Sequence, residues 1–177
     1  MKIIALCGEK QCGKSTLSSH LAKHHGFTVL SFADPLYAML TALIGKDART
    51  IPKEVPLTSL GGKTLRHALQ TLGTEWGRGH IYEDLWLDHL YRKVEGASDD
   101  AKFVIDDARF PNEFETLCRF GATMVTIRSG KVSDGDSHVS ERGWKDIHPD
   151  YSFLNDHSAV SADEFCETAA ALLGEHT

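Results

Sequence analysis

An eight-residue segment near the start of the sequence has the residue types and spacing of a phosphate-binding loop. It matches the pattern G-x-x-x-x-G-K-[ST] with Gly8-Glu9-Lys10-Gln11-Cys12-Gly13-Lys14-Ser15. An apolar run precedes it and a helix-favouring stretch follows, which is the context that the pattern requires. The glycines let the backbone turn so that successive N–H groups surround phosphate oxygens, and the dipole of the following helix adds to this attraction. The segment therefore predicts a site for a nucleoside triphosphate.

Each polar residue of this loop has an expected task. Lys14 is expected to reach the β- and γ-phosphates, Ser15 to offer its hydroxyl to Mg²⁺, and Thr16 to support the loop. The alternative is a chance glycine-lysine turn, which the flanking strand and helix disfavour. The predicted nucleotide contacts are Gly8, Gln11, Cys12, Gly13, Lys14, Ser15 and Thr16.

Acidic residues follow two other short apolar runs. Asp106 and Asp107 come directly after the run at 103–105, where an acid at a strand end can hold Mg²⁺ through its water shell. The alternative is a solvated pair of acids, and the spacing does not decide which of the two would serve the metal. Asp34 follows the run at 28–32. It is predicted either to orient a second substrate or to cap the helix that begins at Pro35.

Five arginines lie in or beside segments that are predicted to reach the same edge: Arg66, Arg78, Arg109, Arg128 and Arg142. Phosphoryl transfer needs guanidinium groups to hold an acceptor phosphate and to offset developing charge, although a single arginine is usually a surface residue. Trp76 is expected either to stack on a base or to fill the core. His20, His24 and His25 show no metal-ligand pattern joined to cysteines, and we expect them at the surface.

The elements that must position these residues alternate between strands and helices. The hydrophobic pattern predicts strands at 2–7, 28–32, 103–105, 123–127 and 151–154, and helices at 15–25, 35–44, 64–72, 81–94, 111–120 and 162–173. The stretches 45–63 and 129–148 are predicted to be loops. This alternation predicts an α/β fold with a parallel sheet covered on both faces, in which ligands bind at the carboxyl ends of the strands. The polar residues described above fall at those ends.

Composition restricts the class of protein. The chain has 177 residues, a formal net charge of −6 and a pI of about 5.9. This balance argues against general nucleic-acid binding, which needs a basic surface. The sequence has neither a membrane-spanning apolar run nor a signal peptide, so we expect a cytoplasmic protein that does not bind membranes. The four cysteines lack zinc or redox spacing, which favours reduced thiols.

Five segments together resemble the bacteriophage-type deoxynucleoside monophosphate kinases, within the nucleoside monophosphate kinase group. They are 8–16, 31–36 (Ser-Phe-Ala-Asp-Pro-Leu), 66–78 (Arg-His-Ala-Leu-Gln-Thr-Leu-Gly-Thr-Glu-Trp-Gly-Arg), 107–113 (Asp-Ala-Arg-Phe-Pro-Asn-Glu) and 138–141 (His-Val-Ser-Glu). They span most of the chain in the expected order. The second, third and fourth segments are more specific than the phosphate loop.

The resemblance implies transfer of the γ-phosphate of ATP to a deoxynucleoside monophosphate, with Mg²⁺ as cofactor. It implies that Asp34 faces the acceptor, and that Asp107 rather than Asp106 takes the strand-end role with Arg109 beside it. It places Arg128 at the hinge of a lid and Arg142 on the lid itself. The residues that it places in the monophosphate pocket are Arg66 for the phosphate, Gln70 for the base, Trp76 and Arg78.

The resemblance also implies an architecture. It is a three-layer P-loop kinase fold around a five-stranded parallel sheet, formed as one domain with a core at 1–34, 100–128 and 149–177. An acceptor-binding helical insert is expected at 35–99 and a short lid at 129–148, without the paired cysteines of a zinc-bearing lid. A homodimer is compatible with the family. Ala108 departs from the larger apolar residue expected there, and the base preference stays open.

Two other functions stay open at this point. Another small P-loop kinase, such as one acting on dephospho-coenzyme A, would share the phosphate loop and lid, although the Leu69–Gly73 run favours a nucleotide acceptor. A module that binds nucleotide without turnover is disfavoured because the residues needed for transfer are all present. A regulatory GTPase would need an N-K-x-D segment, which 155–158 does not match.

Overall fold

The computed structural model describes residues 1–9, 11–130, 148–155 and 161–174. The chain divides into two compact units. The first comprises Met1–Ser31 and Ala97–Thr177, and the second comprises Phe32–Gly96. The predicted lid at 129–148 falls almost entirely outside the described residues.

The first unit contains a five-stranded sheet in which every pairing is parallel, as the sequence predicts. Its strands lie in the spatial order β2-β5-β1-β6-β7. Their bounds are β1 Lys2–Gly8, β2 Thr28–Leu30, β5 Lys102–Ile105, β6 Thr123–Ser129 and β7 Tyr151–Asn155. The second unit contains two further short strands, β3 Pro56–Leu57 and β4 Lys63–Thr64.

The central position of β1 explains its composition. It pairs with β5 on one side and β6 on the other, with Ala5 opposite both Ile105 and Met124. A parallel strand with neighbours on both edges is covered on both faces, so an unbroken apolar run is favoured over alternation. The side chains of Ile4 and Leu6 are accordingly fully buried.

The described residues of the first unit form three helices: α1 Lys14–His25, α5 Pro111–Arg119 and α6 Ala162–Gly174. Leu17 and Leu21 of α1 are buried in one core cluster with Cys166 and Leu173 of α6. Gly26 directly follows α1, and its φ of 72° is the left-handed conformation that glycine adopts without strain. No helix in the described part of the chain has the length and apolar character needed to cross a membrane.

The second unit is built mainly from helices. Its α-helices are α2 Asp34–Ile44, α3 Leu65–Gln70 and α4 Leu85–Glu95, and a π-helix spans Thr71–Ile81. The predicted loop at 45–63 contains two 3₁₀ turns, Ala48–Thr50 and Thr58–Leu60, and most of a hairpin formed by β3 Pro56–Leu57 and β4 Lys63–Thr64. The predicted loop thus carries short regular elements, and the helix predicted at 81–94 begins at Leu85 instead of Ile81.

The π-helix begins without a break after α3 and is organised around Trp86 of α4. The indole Nε1 of Trp86 donates a hydrogen bond of 2.8 Å to the carbonyl oxygen of Gly73. Its ring lies so close to Gly77 that a Cβ added there would be 2.2 Å from Cζ2. Glycine inside a helix weakens a sequence-based prediction of that helix, yet here Gly77 leaves the space that the indole occupies.

We expect Gly77→Ala to destabilise the second unit, because the added methyl group overlaps the buried Trp86 ring. Overpacking of this kind costs about 1–3 kcal/mol. Urea unfolding followed by tryptophan fluorescence measures the loss. Gly79→Ala is the matched control, since its Cβ would make an ordinary contact of 3.5 Å with the carbonyl oxygen of Thr74. Equal midpoints for the two variants would contradict the packing argument.

Candidate nucleotide site

The phosphate loop connects β1 to α1 in the first unit, and its backbone depends on glycine at two points. Gly8 has a φ of 134°, and a Cβ there would lie 2.0 Å from the carbonyl oxygen of Ile127 on β6. Gly13 has a φ of 107° and directly precedes α1. Gln11 also has a positive φ, 63°. These conformations turn the chain from the strand end into the helix N-terminus.

Lys14 lies across the loop that it follows. Its Nζ donates hydrogen bonds to the carbonyl oxygens of Gly8 and Glu9, at 2.9 and 2.6 Å. The side chain is half-buried, so the ammonium group is held at the loop and not extended into solvent. A cation in this position adds to the positive end of the α1 dipole. The site is therefore electropositive at the point where phosphate oxygens would bind.

A cavity of about 420 Å³ opens next to the loop. It brings together five of the seven predicted nucleotide contacts and adds one residue of β7, two of α6 and Ser161, which directly precedes α6. Its lining residues are Gln11, Gly13, Lys14, Ser15, Thr16, Asn155, Ser161, Ala162 and Phe165. The other two predicted contacts, Gly8 and Cys12, are buried. Burial raises the pKa of the nearby Cys7 thiol to about 12, so this group stays a neutral part of the core.

Asn155 holds the loop in place. Its Nδ2 donates a hydrogen bond of 2.9 Å to the carbonyl oxygen of Cys12, and a Cβ on Gly13 would come within 2.7 Å of the same nitrogen. The amide therefore joins the end of β7 to the middle of the loop. No motif in the sequence indicated this hydrogen bond.

The two strand-end acids have different partners. Asp106 accepts a hydrogen bond of 2.7 Å from the hydroxyl of Ser18, which also lies 3.2 Å from the carbonyl oxygen of Ser15. Asp107 accepts a hydrogen bond from the hydroxyl of Ser31, the residue after β2. Asp106 is thus linked to the helix that carries Ser15, whereas Asp107 is linked to the neighbouring strand end.

The oxygen atoms that Mg²⁺ prefers as ligands are offered here by the hydroxyl of Ser15 and the carboxylates of Asp106 and Asp107. Magnesium binds hard oxygen ligands and keeps several waters, so one hydroxyl and one or two carboxylates suffice. Ser15 is exposed, and both Asp106 and Asp107 are only half-buried. The residues present therefore fit the ion that the fold implies.

Three of the five predicted arginines belong to the first unit, and the structure describes two of them, Arg109 and Arg128. Arg109 is exposed, and its backbone N–H donates a 2.6 Å hydrogen bond to the buried carboxylate of Glu113. That carboxylate also accepts from the N–H of Phe110 and so caps the start of α5. Arg128 is exposed near the end of β6. Arg142 lies outside the described residues.

In the second unit, Asp34 does not cap α2. The N-cap residue is Ala33, and the Asp34 carboxylate instead binds the guanidinium of Arg49 and, at 2.9 Å, the ammonium of Lys93. The N-cap alternative was therefore wrong. Arg49 also stacks over the ring of Tyr37, with 4.2 Å between the guanidinium carbon and the ring centroid. Nothing in the spacing of the sequence indicated that Arg49 and Lys93 converge on Asp34.

The remaining predicted acceptor residues are spread over α3 and the π-helix. Arg66 forms an ion pair with Glu54, and Arg78 donates to the carbonyl oxygen of Glu83 at 3.1 Å. Gln70 is exposed.

Trp76 is 41% exposed with its ring centroid 6.5 Å from that of Trp86, so the expectation that it fills the core was wrong. Trp86, which no motif singled out, fills the core instead.

The parallel sheet, the phosphate loop and the lysine held across it define the fold of a P-loop kinase. The family model of deoxynucleotide monophosphate kinases matches residues 53–163. The chain belongs to this family and is a nucleotide kinase.

A viral relative supports this placement, and two solved structures share the fold. A protein of Acanthamoeba polyphaga mimivirus, named "Putative deoxynucleotide monophosphate kinase", is 31% identical over 156 residues, covering 80% of this chain and 81% of its own. Shikimate kinase from Aquifex aeolicus has a TM-score of 0.52 at 15% identity, covering 99% of this chain and 98% of that one. A "putative kinase" from Chloroflexus aurantiacus has a TM-score of 0.54 at 15% identity, covering 99% and 97%. The two solved structures show the likeness of fold.

We expect Asn155→Ala to weaken ATP binding, because the carbonyl of Cys12 loses its partner and the loop loses its connection to β7. A hydrogen bond of net worth about 0.5–1.5 kcal/mol corresponds to a Kd raised roughly 2–13-fold. Calorimetry with a non-hydrolysable ATP analogue measures this change. Ser152→Ala, at an exposed position on the same strand, is the control and should leave the Kd unchanged. An unaltered Kd for Asn155→Ala would show that the loop does not depend on this bond.

Proposed function

We propose that this chain transfers the γ-phosphate of ATP to a deoxynucleoside monophosphate, giving the deoxynucleoside diphosphate and ADP. The observation that carries the proposal is the family match over residues 53–163, which covers the predicted acceptor segment 66–78, in a chain whose phosphate loop has the geometry described above. The proposed role is supply of DNA precursors for a virus or phage, which the viral origin of the relative supports.

On the donor side, the loop backbone and Lys14 would hold the triphosphate. The ammonium of Lys14 lies 2.6–2.9 Å from two loop carbonyl oxygens, and a phosphate oxygen is a stronger acceptor for the same group. The N–H groups at the start of α1 would bind further phosphate oxygens. The cavity beside the loop, which Phe165 helps to line, offers room for the rest of the nucleotide.

Ser15 together with Asp106 or Asp107 would hold Mg²⁺, whose role is to neutralise charge on the β- and γ-phosphates. The resemblance assigns this role to Asp107. The contacts favour Asp106, because its carboxylate binds Ser18, one turn beyond Ser15 on the same helix. Asp107, bound to Ser31 at the end of β2, is then better suited to the acceptor side.

On the acceptor side, the second unit supplies cationic and aromatic groups of the required kinds. Arg66 would bind the monophosphate and Gln70 the base, with Arg78 as a further cation. Trp76 exposes 41% of its surface, which leaves a ring face open for stacking on a base. Asp34, held by Arg49 and Lys93, would face the sugar or phosphate of the acceptor.

Arginines would complete the site during transfer. Arg109 and Arg128 are both exposed in the first unit, and a guanidinium can offset charge that develops on the transferred group. Arg142 is proposed to act from the predicted lid at 129–148. Closure of such a segment would exclude water that otherwise hydrolyses ATP.

The central test is a coupled assay for ADP release with ATP and Mg²⁺ against each deoxynucleoside monophosphate, the ribonucleotides and dephospho-coenzyme A. We expect turnover only with certain deoxynucleoside monophosphates. Lys14→Ala should lower kcat by about 10²–10³-fold, because it removes a preorganised charge at the phosphates. Lys23→Ala, at an exposed position on the same helix, is the matched control and should retain full activity.

Other results of that assay would change the assignment. Turnover with dephospho-coenzyme A alone would make the chain a different small P-loop kinase. ATP binding without transfer to any acceptor would contradict the kinase assignment and leave a nucleotide-binding module.

A second test separates the roles of the two acids. We expect Asp106→Asn to raise the Mg²⁺ concentration for half-maximal activity by at least about tenfold, because removal of one carboxylate near a metal typically costs that much in affinity. Asp107→Asn should mainly raise the KM for the acceptor. The measurement is a Mg²⁺ titration at saturating ATP and acceptor for both variants. The reverse pattern would restore Asp107 to the metal, as the resemblance implies.

A further inference from the structure

A cluster of metal-ligating side chains joins α1 to α6 at a place that the kinase reaction does not use. His20 and His25 of α1 and Glu167 of α6 each offer one ligand atom, and these atoms all lie within 4.8 Å of one another. The Nε2 of His20 is 3.5 Å from a carboxylate oxygen of Glu167. All three residues belong to the first unit.

One ring nitrogen of each histidine in this cluster is buried and lacks a hydrogen bond. Within the described residues, Nε2 of His20 and Nε2 of His25 have essentially no solvent contact and no hydrogen bond. The His20 side chain is only 9% exposed. The expectation that these histidines lie at the surface was therefore wrong for His20. Buried polar atoms without partners are rare because they lose their hydration without compensation.

A cation bound between these atoms would satisfy both nitrogens at once. We propose that His20, His25 and Glu167 bind one divalent transition-metal ion, with Zn²⁺ as the ion that fits best. Zinc takes imidazole and carboxylate ligands at about 2.0–2.2 Å in a tetrahedral arrangement, and three protein ligands leave the fourth position for water. Glu167 is 67% exposed, so its carboxylate can adjust to the ion and keep that position open to solvent.

This site differs from the magnesium site in both position and chemistry. The helix α1 begins at Lys14 and ends at His25, so at about 1.5 Å per residue His20 and His25 lie roughly 8 and 15 Å along the axis from Ser15. Imidazole nitrogen favours Zn²⁺ and similar ions, whereas the hydroxyl and carboxylates near the phosphate loop favour Mg²⁺. An excess of Mg²⁺ should therefore not compete at the histidines.

The ion would cross-link two helices of the core. Leu17 and Leu21 of α1 already pack in one apolar cluster with Cys166 and Ala170 of α6. A ligand set drawn from both helices adds a polar connection next to this packing. Because the unfolded chain does not preform the site, the binding free energy would add to the stability of the folded protein.

The test uses tag-free full-length protein without nucleotide, titrated with Co²⁺ or Zn²⁺ in buffer that contains excess Mg²⁺. We expect one equivalent of Co²⁺ to bind with the intense visible absorption of tetrahedral cobalt, and one equivalent of Zn²⁺ to displace it and raise the Tm. His20→Ala and His25→Ala should abolish the cobalt spectrum. His67→Ala, an exposed histidine on α3, is the control and should leave it unchanged.

Glu167→Gln keeps the test decisive if a histidine variant fails to fold. Its side chain is largely exposed, so the variant should fold, and we expect its Kd for Zn²⁺ to rise at least about tenfold. Absence of stoichiometric binding, an unchanged Kd in Glu167→Gln, or a cobalt spectrum that survives in folded His20→Ala would each overturn the proposal. Because no turnover is measured, these outcomes are independent of the proposed kinase activity.

Discussion

The close approach of Gly8 to the carbonyl oxygen of Ile127 is the constraint on which the nucleotide site depends. A Cβ at this point would lie 2.0 Å from that oxygen, so the backbone can leave β1 in this direction only without a side chain. The approach follows from the parallel register, in which Gly8 pairs with Ile127. Both the path of the phosphate loop and the position of Lys14 follow from this one contact between neighbouring strands.

The two units hold their acids in different ways. In the first unit, Asp106 and Asp107 are each bound by the hydroxyl of a serine, Ser18 and Ser31, which positions the carboxylate without neutralising its charge. In the second unit, Asp34 is bound by two cations on side chains that are 49% and 39% exposed. Exposed ion pairs contribute only about 0–1 kcal/mol, so they orient Asp34 more than they stabilise the fold.

The sequence predicted the first unit well because its signals are local. The apolar runs of β1 and β5, the loop pattern between β1 and α1, and the helix spacing of Leu17 and Leu21 all depend on neighbouring residues, and the structure confirms the five parallel strands. Two kinds of feature escaped prediction. The π-helix depends on Trp86, which lies beyond its end and packs against Gly77, and local propensity disfavours glycine in a helix.

The second kind comprises partners that are distant in sequence. Asp34 binds Lys93, which is 59 positions away, and Asn155 binds the carbonyl of Cys12 across 143 positions. Helical or strand periodicity carries no information about such pairs. The same limit explains why His20 was expected at the surface, since its partner Glu167 lies on α6, near the other end of the chain.

The contact between Gly77 and Trp86 has an evolutionary consequence. Where the indole ring already fills the space in which a Cβ would lie, neither residue can change alone without either a clash or a cavity. Substitutions at the two positions are therefore coupled. Lineages that keep the tryptophan should keep the glycine, and a lineage that replaces the tryptophan by a smaller residue becomes free to place a side chain at position 77.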